Sequence, residues 1–200
     1  EYKRISSERR FAIENFFREN HLESIYFQKW EKSVRGVDLQ KLAPNRLIGT
    51  EASFPTTVLE NGLKYLIRFD QGLSVGLFLD HRENRRRWID KEIEPGWNIP
   101  ASGEVLNTFA YTCGFSLAAA SIGWKTTSLD LSPKYLEWGK KNYHENDISL
   151  DRHDFIFGDT FDWMNRWKKR GRFFDAIILD PPTFSKFGKK KSHTFRAERD

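Results

Sequence analysis

Four clusters of residues able to hold a small polar molecule fall where strands should end: Asn107 to Gly114, Asp130-Leu131, Gly158-Asp159 and Asp180-Pro181-Pro182. Open α/β sheets bind ligands outside the carboxyl ends of their strands, so the four are best considered together. Asp130 sits about 20 residues past the first turn, where an acid accepts hydrogen bonds from ribose hydroxyls. Asp159 could accept from an adenine amino group. At the fourth end, Pro182 fixes φ and removes an N–H, leaving the Pro181 carbonyl as an acceptor beside the Asp180 carboxylate. That pair suits the amino or imino group of a base, and Phe184 could stack on a flat ring. Each cluster also has a plainer reading. Asp130 and Asp159 could cap the helices that follow them, although Ser132 is better placed than Asp130 to do so. The two prolines could simply terminate a strand.

The first turn bears on which nucleoside would fit. A dinucleotide site calls for G-x-G-x-x-G, so that backbone can approach a pyrophosphate. Here "NTFAYTCGF" holds one glycine, Gly114. This is poor for pyrophosphate but adequate for a nucleoside without phosphate, such as S-adenosylmethionine, whose carboxylate a helix N-terminus can support.

The elements that would position these residues alternate. "EVLNTFA", "TTSLDL", "DFIFGD" and "FFDAIILD" read as strands, and "GFSLAAASIG", a helix started by Ser132-Pro133 and reaching about Glu145, and "TFDWMNRWKKR" read as the helices between them. This pattern predicts crossover units and a parallel sheet. The fourth strand is the most apolar and suits a central position, so further strands are expected after residue 200. Upstream, "SSERRFAIENFFRENHLESIYFQKW" reads as a helix capped by Ser6 or Ser7. "TTVLENGLKYLIRF" reads as a β-hairpin turning at Asn61-Gly62. "GLSVGLFLDHRENRRRWID" reads as a short strand to Leu79, a cap at Asp80 and a basic helix. "EPGWNIPASG" reads as a loop and a domain boundary, dividing the chain into an α+β segment, 1–95, and an α/β domain, 96–200.

Composition sets outer bounds. The 200 residues are 38% hydrophobic and 15% aromatic, enough for one ordinary domain with a small companion. No apolar run is long enough to span a membrane, and no leader is evident. The single cysteine allows no internal disulfide, which fits a reducing compartment, cytoplasmic by preference. A net charge of +5 favours a polyanionic partner only modestly. The histidines show no ligand spacing, so no metal is expected.

In order and spacing, "VLNTFAYTCGFSLAAA", "SLDLSPKYLEWGKKN", "FIFGDTFDW" and "FDAIILDPPTFSK" resemble the motifs of class I S-adenosylmethionine-dependent methyltransferases. Together with "GLFLDHRENRRR" they are most similar to the bacterial large-subunit (23S) ribosomal RNA methyltransferases of the RlmI/RlmK type, over roughly residues 58–186. The resemblance implies a Rossmann-like domain with the methyl donor across the strand ends. Asn107, Phe109, Tyr111, Thr112 and Gly114 would line the methionine side. Asp130 would hold the ribose, Leu131 flank the adenine and Asp159 meet its amino group. Asp80 and Arg82 would reach the donor's polar end. Asp180, Pro181 and Phe184 would face the methyl-transfer centre. Where the family usually shows two glycines, this chain has Cys113-Gly114; the cysteine would either crowd the donor or pack inside.

The resemblance implies RNA as partner, and methyl transfer to one of its bases. Guanine N7 is favoured over cytosine C5, because C5 needs a thiolate nucleophile and Thr183 follows the prolines. "RENRRR" and "KFGKKK", with Trp88, Phe184 and Phe187, could hold and stack the RNA, or be solvated surface. The alternatives are a methyltransferase for a small molecule or protein and a non-catalytic RNA-binding module. A nicotinamide dehydrogenase is disfavoured by the missing glycines.

Overall fold

The structure, a computed structural model, describes residues 5–28, 42–70, 74–182, 184–187 and 193–196. It divides into two compact units, Glu1–Val58 with Leu66–Phe78, and Leu59–Tyr65 with Leu79–Asp200. The expected boundary lay at 95/96; in the structure the segment from Leu79 groups with the second unit.

In the first unit, helix α1 (Ser7–Glu19) is capped by Ser6, whose side chain accepts from the Arg9 N–H. The helix is shorter than expected: strand β1 (Ser24–Phe27) follows and pairs antiparallel with β2 (Asn45–Gly49). Its Phe11 and Phe16 are exposed. Tyr26 stacks on Phe69 at 4.8 Å, with Phe54 edge-on to both. The expected strand before Leu79 is absent among the described residues Ser74–Phe78.

The β-hairpin forms as read, from β3 (Thr56–Glu60) and β4 (Leu63–Ile67). Asn61 and Gly62 both have positive φ, +50° and +81°, the conformation a two-residue hairpin turn requires. Tyr65, Leu66 and Ile67 are all buried, so burial does not alternate along the second half of β4.

In the second unit, a 3-10 turn (Leu79–His81) leads into helix α2 (Arg82–Ile89). The cap position is His81 rather than Asp80, and no side chain caps the helix there. The run read as a loop forms a small hairpin, β5 (Glu92–Glu94) with β6 (Trp97–Asn98). The alternating part follows as predicted: β7 (Glu104–Thr108), α3 (Gly114–Ser121), β8 (Lys125–Asp130), α4 (Pro133–Glu145), β9 (Asp154–Phe157), α5 (Thr160–Lys169) and β10 (Ala176–Leu179). The sheet is parallel, in the order β10-β7-β8-β9, a Rossmann-like α/β arrangement. Its strand order reverses at β7, which places the first turn at the topological switch point. A further antiparallel pair, β11 (Phe184–Phe187) and β12 (His193–Arg196), closes the described residues.

Because strand side chains alternate, each face of the sheet buries its own cluster. On one face Val105 packs with Ala118 and Ala119 of α3, Trp88 of α2 and Trp124. On the other, Leu106 and Leu129 pack against Trp167 of α5. The shared cluster with Trp88 is why α2 groups with this unit. At the amino ends of the strands, Arg172 donates to Glu104 (2.5 Å), Thr127 (3.1 Å) and Asp154 (3.3 Å), tying β7, β8 and β9 together. Among the described residues β10 pairs only with β7, and its apolar Ile177 and Leu179 are 53% and 65% exposed.

Candidate functional site

The turn after β7 is built without the expected glycines. Phe109, Tyr111 and Cys113 take left-handed φ values of +53°, +49° and +61°. Such a conformation costs about 1 kcal/mol or more for each side-chain-bearing residue, and persists only where surrounding contacts impose it. Here those contacts come from the neighbouring strand and helix. Ala110 N–H donates to the Leu129 carbonyl (3.0 Å), and Tyr111 N–H to Asp130 Oδ2 (2.8 Å). Asn142 of α4 donates to the Thr112 carbonyl (3.0 Å), and the Tyr135 ring meets Tyr111 edge-on at 4.5 Å. Thr112 is buried, and Gly114 opens α3.

Asp130 organises this turn. Its Oδ2 accepts from Tyr111 N–H and its Oδ1 from Ser132 N–H, each at 2.8 Å. Burial pushes its carboxyl above the ordinary range, against the pull of the Tyr111, Ser132 and Leu131 backbone donors. With three backbone donors on about four lone-pair sites, the carboxylate keeps room to accept from a hydroxyl. Ser132 is the helix cap, as read, and accepts from Tyr135 N–H. Beside Asp130, Leu131 is 39% exposed, and Phe157 of β9, the register partner of Asp130, is 60% exposed. Phe157 was not among the expected site residues; an aromatic that ends a strand one place before a Gly-Asp pair is the signal that could have singled it out.

Asn107 departs from expectation. It is buried, and its amide donates to Ser116 Oγ (2.8 Å), which also accepts from Ser128 Oγ (2.8 Å). This network lies within the β7–α3–β8 layer, since Asn107 precedes the strand end by one residue and its side chain turns toward α3. Cys113 packs inside as well. A Cβ placed on Gly139 of α4 would lie 2.4 Å from its sulfur, so the bare glycine makes the space that the thiol fills. Burial pushes that thiol up to about 12.

At the third strand end, Asp159 caps α5 by accepting from Asp162 N–H (2.9 Å). A Cβ on Gly158 would meet the Trp163 indole nitrogen at 2.3 Å, so backbone must pass close to that ring. At the fourth, Asp180 is half-exposed, and its Oδ2 lies 3.2 Å from His81 Nε2. Pro181 is half-buried and Pro182 exposed. Asp80 and Arg82 are exposed and flank His81, the one residue of that stretch shown to touch a strand end. The structure describes the backbone of Phe184, which opens β11; Thr183 and residues 188–192, with most of "KFGKKK", lie outside the described residues.

The basic run on α2 divides between core and surface. Arg85 is buried and forms a two-point pair with Glu60, at 2.7 and 3.0 Å. Arg86 is exposed but paired with Glu83 (2.8 Å) and with Asp90. Trp88 is buried edge-on to Trp124 at 5.3 Å, which removes it as a base-stacking surface. Arg82 and Arg87 remain exposed. Among the described residues no group of three metal-ligating side chains occurs, and no helix is long and apolar enough to cross a membrane.

Comparison with known proteins matches residues 42–197 to the family model described as S-adenosylmethionine-dependent methyltransferase. The chain is 38% identical over 177 residues to a ribosomal RNA large subunit methyltransferase K/L of Psychrobacter sp. (strain PRwf-1), covering 87% of this chain and 20% of that protein. It is 37% identical over 144 residues to a ribosomal RNA large subunit methyltransferase K of Neisseria meningitidis serogroup B, covering 72% of this chain and 38% of that one. The chain therefore spans well under half the length of these relatives. Among solved structures, the methyltransferase SMU.776, complexed with SAH, matches with a TM-score of 0.74 at 27% identity, over 92% of this chain and 46% of that one. A SAM-dependent methyltransferase from Streptococcus mutans matches with a TM-score of 0.63 at 33% identity, over 70% and 36%.

Proposed function

This chain belongs to the S-adenosylmethionine-dependent methyltransferase family, and from that premise we propose that it carries the donor site for methyl transfer to a base of RNA, most specifically large-subunit ribosomal RNA. The observation that carries this reading is Asp130: a half-buried carboxylate at the strand ends next to the switch point, already ordering the turn beside it, with room left to accept from a ribose hydroxyl. The names of the relatives, ribosomal RNA methyltransferases, supply the substrate class.

When bound, the donor supplies an electrophilic methyl carbon. In this reading Asp130 holds the ribose, while Leu131 and Phe157 cover the adenine faces. The free oxygen of Asp159 accepts from the adenine amino group. Phe109, Tyr111, Thr112 and Gly114 wrap the methionine side, with Asp80 and Arg82 toward its polar end. Asp180 and the Pro181 carbonyl hold the acceptor base, with Phe184 as stacking partner. The rate then comes from alignment and exclusion of water. Asn107 acts from behind, by bracing the β7–α3 turn.

The acceptor atom we favour is guanine N7, whose in-plane lone pair needs no covalent activation. Cytosine C5 needs a thiolate, and the only cysteine of the 200 residues is buried against Gly139 with its thiol pushed up to about 12. The same placement supports a donor turn that the Cys113 side chain does not crowd. A cytoplasmic setting is part of this proposal.

Incubation with tritiated-methyl S-adenosylmethionine, deproteinised large-subunit ribosomal RNA and bulk protein tests the reading. Label is expected in RNA; label confined to protein or small molecules would overturn it.

A further inference from the structure

We propose that His81 is a positioning residue for the transfer, its ring holding the Asp180 carboxylate in the orientation that meets the acceptor base. The inference rests on the reading of Asp180 given above and adds a residue that spacing along the chain did not reveal. His81 Nε2 lies 3.2 Å from Asp180 Oδ2. Its other ring nitrogen, Nδ1, lies 3.3 Å from the Asn84 side-chain amide nitrogen. An amide nitrogen only donates, so Nδ1 is the acceptor and a neutral ring carries its proton on Nε2, directed at Asp180. The ring also meets Phe115 edge-on at 5.4 Å.

The pair is braced on both sides. Helix α2, which starts immediately after His81, is anchored by the buried Arg85–Glu60 pair and by Trp88 against Trp124. The backbone of β10 is tied to β7 by Thr108 Oγ1, which donates to the Ile178 carbonyl at 2.9 Å, and two prolines stiffen the chain after Asp180. The carboxylate itself is half-exposed, and among the described residues the His81 ring is the donor shown on it, so without the ring solvent would have a larger part in setting its rotamer. Oδ1 is left to accept from the base. His81 does not touch the reacting atoms in this arrangement; it acts through Asp180.

Three variants, His81→Ala, His81→Gln and Asp180→Ala, test the assignment. For His81→Ala, kcat for methyl transfer to RNA is expected to fall at least about tenfold, the cost of a misplaced contact at the reacting centre. KM for RNA and affinity for S-adenosylhomocysteine should change less than about twofold, since neither is made by the ring. His81→Gln, whose amide can donate to Asp180, should recover a substantial part of kcat. Wild-type kcat in His81→Ala, or equal impairment in the alanine and glutamine variants, would overturn the proposal. Nitrogen-15 NMR of the His81 ring gives a readout independent of activity. It should show the Nε2-protonated form in the wild type and an altered Nε2 signal in Asp180→Ala; an unaltered signal would also overturn the proposal. A wild type that shows the ring pairing but labels no RNA would instead refute the function proposed above.

Discussion

Replacing Asp130 with alanine is expected to lower affinity for S-adenosylhomocysteine about 100-fold or more, because in the proposed reading one side chain serves both the donor and the turn beside it. A hydrogen bond to a charged group contributes about 1.5–3 kcal/mol, so losing the ribose contacts alone approaches a hundredfold. The substitution also leaves Tyr111 and Ser132 N–H groups without their acceptors, both at 2.8 Å in the structure. The three left-handed residues of the turn then lose part of what imposes their conformation. Asp130→Asn should be impaired as well: turning one oxygen into an amide nitrogen sets a donor against one of the two backbone donors. Calorimetric titration of the folded variants measures this, and an alanine variant within about threefold of the wild type would refute the ribose role.

Arg85→Ala is expected to destabilise the chain by about 3–5 kcal/mol, the usual cost of leaving one member of a buried ion pair behind. Glu60 and Arg85 side chains are only 6% and 3% exposed and meet at two points. The guanidinium also lies near the Tyr65 and Phe115 rings, at 5.9 and 5.8 Å. Removing it leaves a carboxylate in apolar surroundings with no cation. Changing both partners together, Glu60→Leu with Arg85→Met, should cost much less than either loss alone, because no charge is stranded. Urea denaturation of the single and double variants reads the difference. A single-variant loss below about 1 kcal/mol would show that the pair is wetter than its burial implies.

The parts of the fold that were legible in the sequence are those set by local chemistry. Asn61-Gly62 turns the hairpin and Ser132-Pro133 starts α4, because each depends on the φ preferences and capping atoms of adjacent residues. The alternation of strands and helices was visible for the same reason. Contacts between distant segments were not. β1 was read as helix because its partner, β2, lies some twenty residues away and only that pairing selects the strand. The hairpin at Glu92–Asn98 looked like a loop, since Pro95 and Gly96 mark a turn without revealing what pairs across it. Arg85 looked like surface charge because Glu60, its partner, is 25 residues upstream. His81 carried no signal at all until the fold brought it to Asp180.

The turn after β7 reaches its conformation without the glycines that a dinucleotide loop would use. Glycine is the cheapest way to reach a left-handed conformation, but Phe109, Tyr111 and Cys113 reach it because Asp130, Leu129 and Asn142 hold the backbone there. Asn107, which the resemblance put on the methionine side, is turned by strand alternation toward Ser116, a contact that its place in the sequence did not reveal.

The most direct test of the donor site is a crystal structure of the chain with S-adenosylhomocysteine. The ribose hydroxyls should lie within hydrogen-bonding distance of Asp130, with the adenine against Leu131 and Phe157. A nucleoside bound elsewhere, or bound at the strand ends without touching Asp130, would contradict the account.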